Sequence, residues 1–123
     1  MTMPAPIPTV DAAEAERRLR EDSARPILLD VREPNEFAEV RAPGAVLLPT
    51  SQFMARVSEL PSDRPLLVVC AMGGRSAAVT GYLVRAGRTD VVNVAGGMDS
   101  WERAGLPVRR GPLAAGEGDL PAG

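Results

Sequence analysis

The single cysteine of the chain, Cys70, ends an apolar run and is followed by a glycine-containing segment, Ala71-Met72-Gly73-Gly74-Arg75-Ser76. A lone cysteine at the end of a strand is most often an inert small hydrophobic residue, so its position alone gives no evidence of reactivity. The two glycines change this interpretation, because they let the backbone curl with successive N–H groups pointing inward. Arg75 and Ser76 then begin a helix whose first N–H groups have no partners within it. The pattern predicts a cup of amide donors with the Cys70 sulfur at its base.

Such a cup binds an anion and lowers the pKa of a thiol without help from histidine. This matters because the chain contains no histidine, which excludes Ser-His-Asp and Cys-His catalysis and removes the commonest metal ligand. A thiolate that attacks a small sulfur-containing anion needs no general acid when the leaving group is as good as sulfite. The residues therefore favour thiolate chemistry on such an anion, with no cofactor and no metal.

Length and composition fit one globular domain. The chain has 123 residues, of which 45% are hydrophobic and 24% are charged, enough for a packed core without a second domain. Only four residues are aromatic and the net charge is −2, with no cluster of basic residues, so nucleic acid is not expected as a partner. One cysteine permits no internal disulfide, no signal sequence is evident, and the longest apolar run, residues 66–72, is too short to cross a bilayer. We expect a soluble, cytoplasmic monomer with no membrane partner.

Short aliphatic runs alternate with amphipathic stretches along the body of the chain. The runs predict buried strands, and the stretches between them predict helices. The predicted strands are residues 27–31, 46–48, 66–70 and 91–94, and the predicted helices are residues 12–22, 51–60, 75–86 and 98–104. This alternation predicts a mostly parallel sheet with helices on both faces. Residues 1–6 are expected to form an extended arm, residues 7–110 the domain, and residues 111–123 a flexible tail rich in glycine and proline.

Ligands of such sheets bind beyond the carboxyl ends of the strands. The Cys70 segment is one junction of this kind, and Asp30-Val31-Arg32-Glu33-Pro34 is the other. Glu33 precedes proline, as an N-cap does, so we assign it a structural role. Asp30 and Arg32 are expected to hold neighbouring loops through hydrogen bonds, with Arg41 as a candidate partner.

Two features further along the chain are also assigned structural roles. The pair Gly96-Gly97 is predicted to form a strand-to-helix turn at the border of the pocket. Trp101 lies at helical spacing after this turn and is predicted to pack in the core.

Five short motifs, taken in order, make the chain resemble the single-domain rhodaneses, which are sulfurtransferases. They are Leu29-Asp30-Val31-Arg32-Glu33 with Glu36-Phe37; Ala42-Pro43-Gly44-Ala45 leading to Pro49; the segment from Cys70 to Ser76; Asn93-Val94-Ala95-Gly96-Gly97 with Trp101; and Gly105-Leu106-Pro107-Val108. The resemblance covers roughly residues 27–108. It implies an α/β, rhodanese-like three-layer sandwich whose central, mainly parallel sheet has five strands, the fifth lying near residues 7–10.

The resemblance also implies roles for the Cys70 segment. Cys70 would take the outer sulfur of a donor such as thiosulfate and hold it as a persulfide. The backbone N–H groups from Ala71 to Ser76, including those of Met72, Gly73 and Gly74, would bind the donor anion and then the persulfide. Arg75 would orient the segment or add positive charge. The sulfur would then pass to cyanide, a thiol or a protein, because the chain has no second cysteine to resolve the persulfide.

The chain departs from the family pattern at two places. Arg41 stands where many members have histidine, and Ala71 and Met72 give an apolar mouth where many have a basic or polar residue. These departures suggest a larger or protein-borne donor or acceptor.

Three alternatives to a sulfurtransferase can be weighed from the residues. A cysteine phosphatase or arsenate reductase has five residues between cysteine and arginine, whereas four separate Cys70 from Arg75. A nucleotide-binding P-loop needs lysine, which the chain lacks. A sulfur carrier or regulatory module with little turnover of its own is the main alternative.

Overall fold

The computed structural model describes residues 6–121 as a three-layer α/β/α domain. The strands are β1 (Thr9–Val10), β2 (Ile27–Asp30), β3 (Val46–Leu47), β4 (Leu66–Val69) and β5 (Val91–Val94). The helices are α1 (Ala12–Glu21), α2 (Pro34–Glu39), α3 (Thr50–Arg56), α4 (Gly74–Arg85) and α5 (Gly97–Arg103), and a short 3-10 turn follows α3 at Val57–Glu59.

All five strands run parallel in the order β1-β5-β4-β2-β3. The predicted fold class and the weak fifth strand near residues 7–10 are therefore confirmed. The four buried strands start where the sequence predicts and end within one residue of it. The predicted helix at residues 51–60 is divided at Arg56, whose φ of −123° departs from helical values. The 3-10 turn that follows ends before Leu60, because the residue before Pro61 avoids the helical region.

The sheet separates two apolar clusters, because side chains alternate between the faces of a strand. One cluster joins Leu29 and Val68 to α3 and α4, and the other joins Leu28 and Leu67 to α1, α2 and α5. Trp101 is 2% exposed in the second cluster and donates its indole N–H to the Pro107 carbonyl at 2.8 Å, so its predicted role in packing is confirmed. This double-sided core fixes the carboxyl edge of the sheet, where the site lies.

The predicted flexible tail packs against the body over residues 111–121. Arg41, only 1% exposed, pairs with Glu117, and it donates to the carbonyl of Gly111 at 2.8 Å. The Gly118 carbonyl accepts the Leu47 N–H at 2.8 Å, so the tail covers part of the edge strand β3. Composition alone did not predict these contacts, because they depend on a buried cation 76 residues earlier in the chain. The predicted arm at residues 1–6 lies outside the described residues except for Pro6.

Candidate active site

Three loops meet at the carboxyl edge of the sheet because β4 lies between β2 and β5. Asp30 at the end of β2 is in register with Val69 at the end of β4, so the loop after β2 lies beside Cys70. The loop after β5 approaches Cys70 from the other side. We call residues 70–76 the Cys70 loop.

Cys70 lies at the base of its loop and is 1% exposed. The Gly73 N–H donates to its Sγ at 3.1 Å, and the Ser76 hydroxyl lies 3.2 Å from the same atom. Burial raises the pKa of the thiol, but hydrogen bonds from the Ser76 side chain and from the backbone of Ser76, Gly73 and Met72 outweigh it. The net effect is a pKa below the ordinary cysteine value, which favours the nucleophilic thiolate.

The backbone of the loop follows from its glycines. Gly73 is the N-cap of α4 with φ of 106°, a left-handed conformation that favours glycine. This turn aims the Gly73 N–H at the sulfur, and the helix begins immediately afterwards. Of the amides in the predicted cup, that of Gly73 donates to the sulfur in this geometry.

The turn after β5, at Gly96 and Gly97, holds the Cys70 loop in place through backbone hydrogen bonds. The Met98 N–H donates to the Cys70 carbonyl at 2.7 Å, and the Asp99 N–H donates to the Ala71 carbonyl at 3.0 Å. At Gly97 a Cβ atom would lie 2.3 Å from the Cys70 carbonyl oxygen, so only glycine fits this approach. The sequence predicted the turn, and the structure gives it a role as the support of the loop.

Arg75 pairs with Glu36 of α2 through two hydrogen bonds, of 2.7 and 2.9 Å. Glu36 also accepts the Glu33 N–H at 3.0 Å, which fixes the start of α2 where the sequence placed an N-cap. The Arg75 guanidinium lowers the pKa of Glu36 to about 2, so the carboxylate stays charged at neutral pH. Glu36 belonged to a recognised motif, but no feature of the sequence alone paired it with Arg75.

A second ion pair holds the loop after β2. Asp30 and Arg32 are buried and meet at 2.7 Å, and Arg32 also donates to the Val40 carbonyl at 2.6 Å. Their predicted structural role agrees with these contacts. The suggested partner Arg41 does not join them, since it faces the tail at Glu117.

The mouth of the Cys70 loop, formed by Ala71 and Met72, is apolar. Met72 is 71% exposed, so its thioether side chain is available to a bound molecule. Within residues 6–121 no cluster of three or more histidine, cysteine, aspartate or glutamate side chains is suited to a metal ion. No helix in that range is both long and apolar enough to cross a membrane.

The fold and the loop define a class of protein, the α/β sandwiches in which a glycine-containing loop presents one thiol at the carboxyl edge of a parallel sheet. The model of the Rhodanese-like domain matches residues 11–104, and the chain belongs to this family.

Known proteins agree with this assignment. The chain is 36% identical to a sulfurtransferase of Allochromatium vinosum, over 80% of this chain and 92% of that protein. It is 31% identical to the thiosulfate sulfurtransferase GlpE of Vibrio cholerae over the same shares. The crystal structure of a rhodanese-related protein from Thermoplasma volcanium superposes with a TM-score of 0.75 at 31% identity, covering 83% of this chain and 97% of that one. These relatives support sulfur transfer as the general activity.

Proposed function

We propose that the protein transfers a sulfane sulfur through a persulfide on Cys70. The observation that carries the proposal is the convergence of the Gly73 N–H and the Ser76 hydroxyl on the Cys70 sulfur. These donors lower the pKa of the thiol and remain available to the negative charge of a persulfide.

In the first step the Cys70 thiolate attacks the outer sulfur of the donor. A new S–S bond forms from the thiolate electron pair, and the S–S bond of the donor breaks with its pair on the leaving group. With thiosulfate the products are the Cys70 persulfide anion and sulfite, so charge balances without a proton. Sulfite needs no general acid, which is consistent with the absence of histidine.

In the second step an outside acceptor attacks the terminal sulfur of the persulfide. Cyanide would leave as thiocyanate and regenerate the thiolate, and a thiol or a protein acceptor would follow the same course. An external acceptor is required because Cys70 is the only cysteine. The exposed Met72 at the mouth supports a donor or acceptor with an organic or protein surface, and a thiosulfate KM in the micromolar range would contradict this part of the proposal.

Intact mass spectrometry tests the persulfide directly. The reduced protein is incubated with excess thiosulfate beside the Cys70→Ser variant, which differs only at the reacting atom. We expect the wild type alone to gain the mass of one sulfur atom and to lose it on addition of cyanide. If thiosulfate adds no sulfur, a small-molecule persulfide is the next donor. Loading by that donor with little turnover would favour a sulfur carrier, and no loading by either donor would refute the proposal.

A further inference from the structure

Three ion pairs lie in or beside the loops that meet at Cys70. Asp30 pairs with Arg32 at 2.7 Å, and Glu36 pairs with Arg75, also at 2.7 Å. On the third side, Asp99 pairs with Arg103 at 3.2 Å. Each pair contributes one positive and one negative charge, so these six residues add no net charge to the site.

Arg75 is the cation of the Cys70 loop itself. The hydrogen bonds that Arg75 donates to Glu36 raise the pKa of Arg75 above its ordinary value, and the negative charge of the Cys70 thiolate adds to this effect. Arg75 also directly precedes Ser76, whose hydroxyl lies 3.2 Å from the Cys70 sulfur, so its charge is held within the Cys70 loop. Glu36 occupies both terminal nitrogens of the guanidinium and places a compensating carboxylate beside it.

Neutralisation of Arg75 by Glu36 affects a donor with two negative charges more strongly than a donor with one. Thiosulfate brings two negative charges to a thiolate that already carries one, with no uncompensated cation among the three ion pairs. An organic thiosulfonate, RSO2–S−, brings one charge and reacts by the same step, leaving as the sulfinate RSO2−. Its organic group also suits the apolar mouth, where Met72 is 71% exposed.

We infer that Glu36 is a specificity-determining residue, which neutralises Arg75 and biases the site toward organic sulfane-sulfur donors that carry a single negative charge. The inference rests on the proposed function for its substrate. Glu36 acts on the donor through the charge of Arg75 and is not itself a catalytic residue.

The Glu36→Gln variant tests this inference with little disturbance of the fold. The amide oxygen of glutamine can still accept the Glu33 N–H and one hydrogen bond from Arg75. Glu39→Gln is the matched control, because it removes the same charge from the exposed last residue of the same helix. The kinetic readout is kcat/KM for thiosulfate divided by kcat/KM for methanethiosulfonate.

We expect Glu36→Gln to raise this ratio roughly fivefold at low ionic strength, because one extra unit of donor charge meets an uncompensated cation. The gain should shrink as salt is added, and the control should keep the wild-type ratio. An equal loss of activity with both donors would show a purely structural role and overturn the inference.

Alkylation of Cys70 separates this inference from the proposed function. Iodoacetate is an anion and iodoacetamide is neutral, and both react with the same thiolate of the only cysteine. We expect the iodoacetate-to-iodoacetamide rate ratio to rise in Glu36→Gln and not in Glu39→Gln. An unchanged ratio overturns the role of Glu36 even if sulfur transfer is observed. Absence of sulfur transfer in the wild type would refute the proposed function, while the alkylation ratio would still decide whether Glu36 controls the charge at Cys70.

Discussion

Gly97→Ala is expected to displace the Cys70 loop while leaving every side chain of that loop unaltered. A Cβ atom at this position would lie 2.3 Å from the Cys70 carbonyl oxygen and 2.6 Å from the Ala71 carbonyl carbon and oxygen. These are backbone atoms, so no side-chain rotation relieves the overlap. The backbone at Cys70 and Ala71 must shift away from the start of α5, which moves the thiol relative to its donors Gly73 and Ser76 further along the loop.

The size of the effect follows from the contacts that separation would break. Alanine at a φ of +58° costs roughly 1–2 kcal/mol. The bonds from the Met98 and Asp99 N–H groups to the loop carbonyls contribute about 1 kcal/mol each. Replacing glycine by alanine also lowers the conformational entropy of the unfolded chain, which offsets about 0.4–1 kcal/mol of this loss. The net loss is about 3 kcal/mol, which lowers Tm by more than about 10 °C in a domain of this size.

Gly105→Ala is the matched control. Gly105 has a similar φ of +72°, and apart from its two chain neighbours a Cβ atom there would meet nothing within 4 Å among residues 6–121, so this variant carries the backbone cost alone. Urea unfolding followed by the fluorescence of the only tryptophan, Trp101, gives the free energy of unfolding, and alkylation gives the reactivity of Cys70. We expect Gly97→Ala to lose both stability and reactivity, and Gly105→Ala to lose about 1 kcal/mol of stability and keep its reactivity. Equal results for the two variants would refute the role of Gly97 as the support of the loop.

Two further predictions concern the thiol and the tail. Ser76→Ala removes the hydroxyl that lies 3.2 Å from the Cys70 sulfur and should raise the pKa of the thiol. The pH profile of Cys70 alkylation should then move to higher pH. An unchanged profile would show that this hydrogen bond does not lower the pKa of the thiol. Glu117→Gln removes a carboxylate whose pKa is lowered to about 2. The main cause of this shift is the hydrogen bond that the carboxylate accepts from buried Arg41. Because this folded-state pKa lies below the ordinary value of 4.5, the stabilisation is complete above about pH 4.5 and fades as pH falls toward 2. The wild type should therefore melt at a higher temperature than Glu117→Gln at pH 7, and this difference in melting temperature should narrow as the pH is lowered. Equal melting temperatures at pH 7 would show that the tail adds no stability through this ion pair.

Much of the fold could be predicted because its signals are local. Four buried strands were visible as aliphatic runs, since a strand covered on both faces must be apolar on both. The glycines of the Cys70 loop predicted a tight turn before a helix, and Gly73 adopts it with φ of 106°. Pro34 marked the start of α2 because proline suits the first helical position.

Other features depend on contacts between distant parts of the chain. Glu36 and Arg75 are 39 residues apart, and Arg41 and Glu117 are 76 apart, so no local pattern pairs them. The tail illustrates the consequence, because its composition is that of a flexible segment while the pairing of Glu117 with buried Arg41 fixes it to the body.

The sequence by itself determined that Cys70 is the only thiol available for the proposed chemistry, and that its activation could not come from histidine. It also determined the order along the chain of the strands β2 to β5 and of the helices α1, α3, α4 and α5. Tertiary structure decided that Arg75 of the Cys70 loop pairs with Glu36, and that the turn at Gly97 holds the loop through hydrogen bonds to its carbonyls. The physical reason is the register of the parallel strands: Asp30 lies beside Val69, and the loops that follow β2, β4 and β5 must therefore converge at one edge of the sheet.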